Sequence, residues 1–223
     1  MSFLVDLGAT SYIACYATQQ AVVARRCSGD LDRDCFLLTE HPPVYTLGKR
    51  GGEQHLHISK EMLAQKGIDV VSIERGGEIT YHGPGQLVLY PILHLRKRKM
   101  RVTEYVGLLE ETMIRLAADF GVRVVRNTRN AGVWTEDGRS KIGSIGIAIR
   151  HGVSFHGFAF NLNTDLEPFS WINPCGLTGV TATSLAREAG TDFDPAEVKK
   201  RLLSIVADLF GEFTVVDSLH SVK

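Results

Sequence analysis

The chain has 223 residues, of which 44% are hydrophobic and 22% charged, and its 25 Lys and Arg balance its 25 Asp and Glu. That length supports one large domain with its own core, taken as 1–223, and a formal charge of zero supplies no global field for gathering nucleic acid. The apolar runs are too short to span a membrane, and the start MSFLVDLGATSY lacks the basic head and long apolar centre of a signal peptide, so a cytoplasmic protein acting without a membrane is expected.

In chain order, a helix is predicted over about 17–27, followed by the strand CFLLTE from Cys35. A short helix over 59–65, stopped by Gly67, leads to the strand DVVSIE. A glycine-rich stretch and the strand QLVLYPILHL come next. In TEYVGLLEETMIRLAADFG, Thr103 is the expected cap, Glu104 suits the positive first turn, and Gly121 ends a stripe of Val106, Leu109, Met113, Leu116 and Phe120. The strand VRVVR follows, then KIGSIGIAIR and VSFHGFAFNL, joined through His151 and Gly152 as a hairpin. Finally Asp194, Pro195 and Glu197 occupy N-cap, N1 and N3 of a helix whose stripe is Val198, Leu202, Ile205 and Leu209. Strands and helices intermingle without a regular βαβ repeat, which predicts an α/β fold of the α+β, mixed-sheet kind.

Chemistry concentrates in two places. The stretch RGGEITYHGPGQLVLY, Arg75 to Tyr90, packs four glycines beside ring side chains and an arginine. Glycine is permissive but costs backbone entropy, so Gly76, Gly77, Gly83 and Gly85 point to left-handed turns or to close approach of another group. No G-x-x-x-x-G-K-[ST] spacing is present, so a phosphate loop is not indicated. A plain structural turn competes with a ligand-binding loop here. The second place is SWINPCGLTGVT, where Pro174 and Gly176 fix the loop around Cys175. A thiol with a free pKa of about 8.5 needs a cation or base to become a thiolate at neutral pH. His82 and Lys141 are both candidates, His156 is ambiguous, and spacing does not choose among them; a satisfied turn histidine and a solvated strand-end lysine are the bland alternatives. Cys15, Cys27 and Cys35 show no paired spacing and are expected to be reduced, structural thiols. The run Arg96-Lys97-Arg98-Lys99-Met100-Arg101 reads as a solvated connection or as a docking patch for an acidic partner.

Taken together, EHPPVYTLGKR, RGGEITYHGPGQLVLYPIL, KIGSIGIAI and HGFAFNLNTDLEPFSWINPCG resemble, in sequence and order, the octanoyltransferases of lipoate biosynthesis, the LipB family of lipoyl(octanoyl) transferases. The resemblance runs from about Glu40 to Leu185. It implies a single catalytic domain like that of biotin and lipoate protein ligases. It also implies transfer of an octanoyl group from octanoyl-acyl carrier protein to a lysine of lipoyl domains, those of 2-oxoacid dehydrogenases and of the glycine cleavage H protein. The family pattern places the acyl-thioester on Cys175 and its tuning lysine on Lys141. Substrate contacts fall on Arg75, Gly76, Gly77, Glu78, Ile79, Thr80, Tyr81 and His82, on Ser144, Ile145 and Gly146, and on Gly157, Phe158 and Ala159. Because a thioester converts to an amide downhill, neither ATP nor a metal is expected as cofactor. The segment LTGVTATSL departs from the family's threonine-serine pattern. The glycines are expected to form a narrow acyl slot beside Cys175, such that Gly77→Val would fill the slot and spare the fold.

Overall fold

The structure, a computed structural model, describes residues 2–172 and 180–219. Cys175 lies outside the described residues. In chain order the elements are β1 (Ser2–Ala9), α1 (Tyr12–Ser28), β2 (Cys35–Glu40), β3 (Val44–Leu47), a 3-10 turn (Glu53–His55), α2 (Lys60–Gln65), β4 (Asp69–Ser72), β5 (Ile79–His82), β6 (Gln86–Ile92), α3 (Val102–Asp119), β7 (Val124–Arg126), β8 (Gly132–Thr135), β9 (Ser140–Arg150), β10 (Val153–Asn161), a 3-10 turn (Glu167–Trp171), β11 (Thr181–Ala182), α4 (Leu185–Ala189), α5 (Pro195–Phe210) and β12 (Phe213–Val215).

The large sheet runs β12-β1-β2-β6-β10-β9-β8-β7, with β11 added beside the start of β9. Its first three strands are parallel, β11 pairs with β9 in parallel, and the remaining pairings are antiparallel. Near-continuous apolar runs such as CFLLTE and QLVLYPI arise because this sheet is buried on both faces. Along β2 and β6, Phe36, Leu38, Leu87 and Leu89 face α3 and α5. Cys35, Leu37, Val88, Tyr90 and Ile92 face the opposite way, toward α1. Each helix lays one apolar stripe on the sheet: Leu109, Met113 and Leu116 from α3, Val198, Leu202 and Ile205 from α5.

A second, three-stranded sheet, β4-β3-β5, has its own small core of Tyr45, Leu47, Leu63, Ile79, Tyr81, Phe169 and Ile172. It covers part of the large sheet that α1 leaves open. One backbone bond ties the two together: the Gly76 N–H donates to the Ile147 carbonyl of β9 at 2.9 Å.

Most predicted elements are present, with shifted ends. Helix α1 begins at Tyr12, five residues before the expected start, because Ser11 Oγ accepts from the Ala14 N–H at 3.3 Å. At α3, Thr103 lies inside the helix and Arg101 is the N-cap, its N–H donating to Glu104 at 2.7 Å. The cap at Asp194 is as expected, accepting from Ala196 N–H at 3.0 Å. The β9–β10 hairpin turns through His151 at φ 50° and Gly152 at φ 86°, the left-handed pair of a two-residue turn. Strands β1, β3, β5, β8 and β12 were not expected from the sequence.

Within the basic run, Arg98 is a structural residue. Its Nε donates to Asp34 Oδ2 at 2.5 Å, Nη1 to the Phe210 carbonyl at 2.8 Å and Nη2 to Ser2 Oγ at 3.0 Å. Asp34 Oδ1 also accepts from Arg26 Nη2 at 2.7 Å and from the His94 N–H at 2.9 Å. Burial opposes ionisation of Asp34, but the Arg98, His94 and Arg26 bonds outweigh it and hold the carboxyl below its ordinary range. Removing one partner of such a buried network leaves charge uncompensated. Arg98→Ala is therefore expected to cost about 2 to 3 kcal/mol in urea unfolding at pH 7. Its exposed neighbour, changed by Lys97→Ala, is expected to stay within about 0.5 kcal/mol of wild type. Equal, small effects would show that the cluster contributes no stability.

Candidate active site

Between the two sheets lies a cavity. Its floor is the face of β9 and β10 where Gly146 pairs with Gly157 and Ser144 with Ala159. Its roof is the segment from Arg75 to β5, contributing Arg75, Gly77, Glu78, Ile79, Thr80 and His82. Lys141, Asn130, Thr181 and Ala182 close one end, and Tyr12, Tyr90 and His156 line the other. Phe169, Asn161, Ile145 and Phe158 complete the wall.

The roof is held by Arg75, which is buried. Its Nη2 donates to the Thr46 carbonyl at 2.6 Å and to Thr46 Oγ1 at 2.9 Å, and Nη1 donates to the Gly76 carbonyl at 3.0 Å. The arginine stem lies against β9 so closely that a Cβ on Gly146 would sit 2.7 Å from Arg75 Cδ. Gly157 likewise has no room for a Cβ, which would collide with the Leu89 carbonyl. Gly83 makes way for the Tyr81 ring. The space saved by these glycines is thus taken by protein atoms, and at Gly146 it lets the roof segment close on the large sheet. Gly77 sits at φ 90°, where a β-branched residue is strained whatever the space. Gly77→Val therefore perturbs the backbone and does not isolate an effect on the slot.

Lys141 is 6% exposed, not a solvated strand end. Its Nζ donates to Asn130 Oδ1 and, at 2.8 Å, to the Ala131 carbonyl, and lies 5.2 Å from the Trp134 ring centroid. Gly132, at φ 127°, leaves the room this side chain occupies, since a Cβ there would be 2.7 Å from Lys141 Cε. The chain re-enters the described structure at Val180, and β11 then pairs Thr181 with Ser140 and Ala182 with Lys141.

At the far end, four elements bring rings together. His41 Nδ1–H donates to the Thr10 carbonyl at 2.7 Å, so its Nε2 accepts from the Tyr90 hydroxyl at 2.8 Å. The His82 Nδ1–H donates to Gln86 Oε1 at 2.7 Å, while Gln86 Nε2 donates to Asn161 Oδ1 at 2.9 Å. Tyr12 stacks on His82 with centroids 5.7 Å apart and lies 5.1 Å from His41. His156, 1% exposed and held at φ 55°, donates its backbone N–H to Gln19 Oε1 at 2.8 Å. Its Nε2 has no hydrogen-bond partner and lies 3.9 Å from Glu74 Oε2.

Burial keeps these rings neutral. It pushes the His41 pKa down to about 4 against the opposing Thr10 bond, and the His156 pKa down to about 4, with Glu74 opposing and Arg75 assisting. His82 is lowered further, by burial and then by His41. Burial likewise raises the Tyr90 hydroxyl well above its usual range.

Of the residues expected at the site, Arg75, Gly77, Glu78, Ile79, Thr80, His82, Lys141, Ser144, Ile145, Gly146, Gly157, Phe158 and Ala159 line this one cavity. Gly76 and Tyr81 do not line it. Tyr81 turns its ring into the small sheet's core against Tyr45 and Phe169, 5.4 Å from each. Tyr12, His41, Tyr90 and Asn130 were not singled out in the sequence, and only their convergence in space identifies them. The basic run sits beside the hairpin turn, where Leu95 N–H donates to the Gly152 carbonyl. That is the other end of β9 from Lys141, roughly 30 Å away along the strand. Its reading as a docking patch for this cavity loses geometric support. Among the described residues, no group of three or more His, Cys, Asp or Glu could hold a metal ion, and no helix is long and apolar enough to cross a membrane.

Three neutral buried histidines make stability pH-dependent. The unfolded chain takes up protons below about pH 6.5, whereas in the fold His41 and His156 resist until about pH 4 and His82 is lowered in the same direction. Stability is therefore complete above 6.5 and falls as the pH drops toward 4. Each ring is expected to account for about 1 kcal/mol of loss between pH 7 and pH 5.5, read from urea unfolding, and His156→Gln to remove one such share. A flat profile over that interval would mean that the rings are hydrated in the fold.

The sequence profile of the lipoyl protein ligase A/B catalytic domain matches residues 11–207. The octanoyltransferase of Syntrophobacter fumaroxidans is 45% identical over 209 residues, covering 94% of this chain and 90% of that protein. In fold, the chain is similar to lipoate-protein ligase A crystallised with ATP, with a TM-score of 0.80, 16% identity, and coverage of 97% of this chain and 88% of that one. The biotin protein ligase of Aquifex aeolicus, in complex with biotin and ATP, shares the architecture more distantly, at TM-score 0.55 and 13% identity over 93% of this chain and 70% of that one. On the strength of the profile and the relatives, the chain belongs to the octanoyltransferase family of acyltransferases and carries the lipoyl protein ligase A/B catalytic domain.

Proposed function

We propose that this protein transfers an octanoyl group from octanoyl-acyl carrier protein to a lysine of lipoyl domains, through a thioester on Cys175. The relatives' name supplies the acyl group. The observation that carries the reading is a buried lysine, Lys141, lining the same slot as the floor residues Gly146, Gly157 and Ala159. The segment bearing Cys175 leads directly into β11, which pairs beside that lysine.

In the first half-reaction, the Cys175 thiolate attacks the carrier thioester carbonyl. A carbon–sulfur bond to Cys175 forms, the bond to the phosphopantetheine sulfur breaks, and that sulfur leaves with the proton of Lys141, which is left as a neutral amine. Lys141 is the cation that favours the thiolate. In the second, the acceptor lysine attacks as a neutral amine, the amide forms, the Cys175 sulfur leaves as thiolate, and Lys141 takes the proton the amine sheds. Asn130 and the Ala131 carbonyl position its Nζ for both. Thioester-to-amide conversion is downhill, so the sequence of steps consumes no ATP.

From the roof, Arg75 and Glu78 contribute charged lining and Thr80 a hydroxyl, and from the floor Ser144 adds another. Burial lowers the proton affinity of His82, and its Nδ1–H is held by Gln86, which does not favour it as the proton acceptor of a hydrolase.

Transfer of octanoyl to an unmodified lipoyl domain is expected to proceed without ATP. Lys141→Ala is expected to slow both half-reactions by about 100-fold and to raise the pH at which Cys175 is alkylated. Asn130→Ala, which frees Lys141 Nζ from one anchor, is expected to show a smaller loss of the same kind. Normal rates and an unmoved alkylation profile in Lys141→Ala would remove the lysine from the chemistry. A strict ATP requirement would favour a ligase.

A further inference from the structure

We propose that the ring cluster of Tyr12, His82, Tyr90 and His156 is the end stop of the acyl slot and sets the length of chain the enzyme accepts; this rests on the octanoyl-transfer reading above. The cluster and Lys141 line the same cavity, Lys141 beside the start of β9 and the cluster beside α1, β5, β6 and β10. From Lys141 the slot runs along β9 to Gly146 and crosses β10 to β6, since Gly146 pairs with Gly157 and Phe158 with Leu89. Five residues of strand rise and two strand spacings put Tyr90 about 19 Å from Lys141, Cα to Cα. An extended eight-carbon chain is about 9 Å long, and a tyrosine side chain reaches about 6 Å, so little length is left over.

The end is polar, which an apolar tail does not need. It is also braced on every side. Tyr90 is bonded to His41 and His82 to Gln86, and His82 is stacked on Tyr12. His156 is fixed through its backbone to Gln19 on α1. A flexible apolar end would give way gradually to extra methylenes. This one must break the Tyr90–His41 bond or displace the Tyr12–His82 stack, and either penalty begins only where the chain outgrows the slot. The cutoff with chain length is therefore steep.

The test compares kcat/KM for octanoyl and dodecanoyl carrier proteins, with transfer to a lipoyl domain as the readout. Wild type is expected to lose at least tenfold in going from eight to twelve carbons. Tyr90→Leu, on β6, and Tyr12→Leu, on α1, are each expected to raise the dodecanoyl-to-octanoyl ratio at least tenfold. The ratio does not depend on the active fraction, so a partly folded preparation still reports, and if neither variant folds the wild-type ratio decides. Equal use of both chains by wild type, or an unchanged ratio in both folded variants, would overturn the end stop while octanoyl transfer itself stood. Absence of octanoyl transfer by wild type would instead overturn the functional reading on which the end stop rests.

Discussion

The contact on which the site depends is the closure of Arg75 over Gly146. The guanidinium is spent on Thr46 of the small sheet, the neighbouring Gly76 N–H reaches Ile147 of the large sheet, and the arginine stem fills the space a Cβ on Gly146 would need. Two sheets that would otherwise be held apart by side chains are thereby brought into backbone contact along one line. Everything enclosed beside that line becomes a slot with a fixed floor and roof. A cationic group is buried there with backbone and hydroxyl acceptors around it, the arrangement low-dielectric burial demands.

The two ends of the slot differ in kind. At one, Lys141 brings an amine into a buried corner against Asn130, Ala131 and the Trp134 ring, in room left by Gly132. At the other, polarity is supplied without charge, because burial holds His41, His82 and His156 neutral. On the proposed mechanism the first end is the reactive one and the second the inert one, both on one rigid floor: the carbonyl meets nucleophile and proton acceptor at the first, and the tail is measured and kept dry at the second. The rigidity comes from β9 and β10, whose pairing extends from Gly143 to Arg150.

How much of this could be read from the sequence follows from the range of the interactions. Asp194 caps α5 and His151-Gly152 turns the hairpin as expected, because both depend on a few adjacent residues. The central strands were legible from apolar runs buried on two faces. Short strands such as β5, ITYH, were not, since their pairing with β3 is settled by tertiary contact and glycines flank them. Tyr81 and His82 look alike in sequence, yet strand alternation sends one ring into the small core and the other into the cavity. The Tyr90–His41 and Tyr12–His156 contacts span 49 and 144 positions, so no local pattern announces them. Arg98, which reads as part of a charged run, is fixed by partners at Ser2, Asp34 and Phe210.

The central claim is a covalent relay through Cys175. The most direct measurement is the intact mass of wild type and Cys175→Ala after brief mixing with octanoyl-acyl carrier protein in the absence of ATP. The account predicts an octanoyl adduct on wild type alone, discharged when an unmodified lipoyl domain is added. No adduct at any point of a rapid time course, with a carrier substrate shown to be competent, would contradict it.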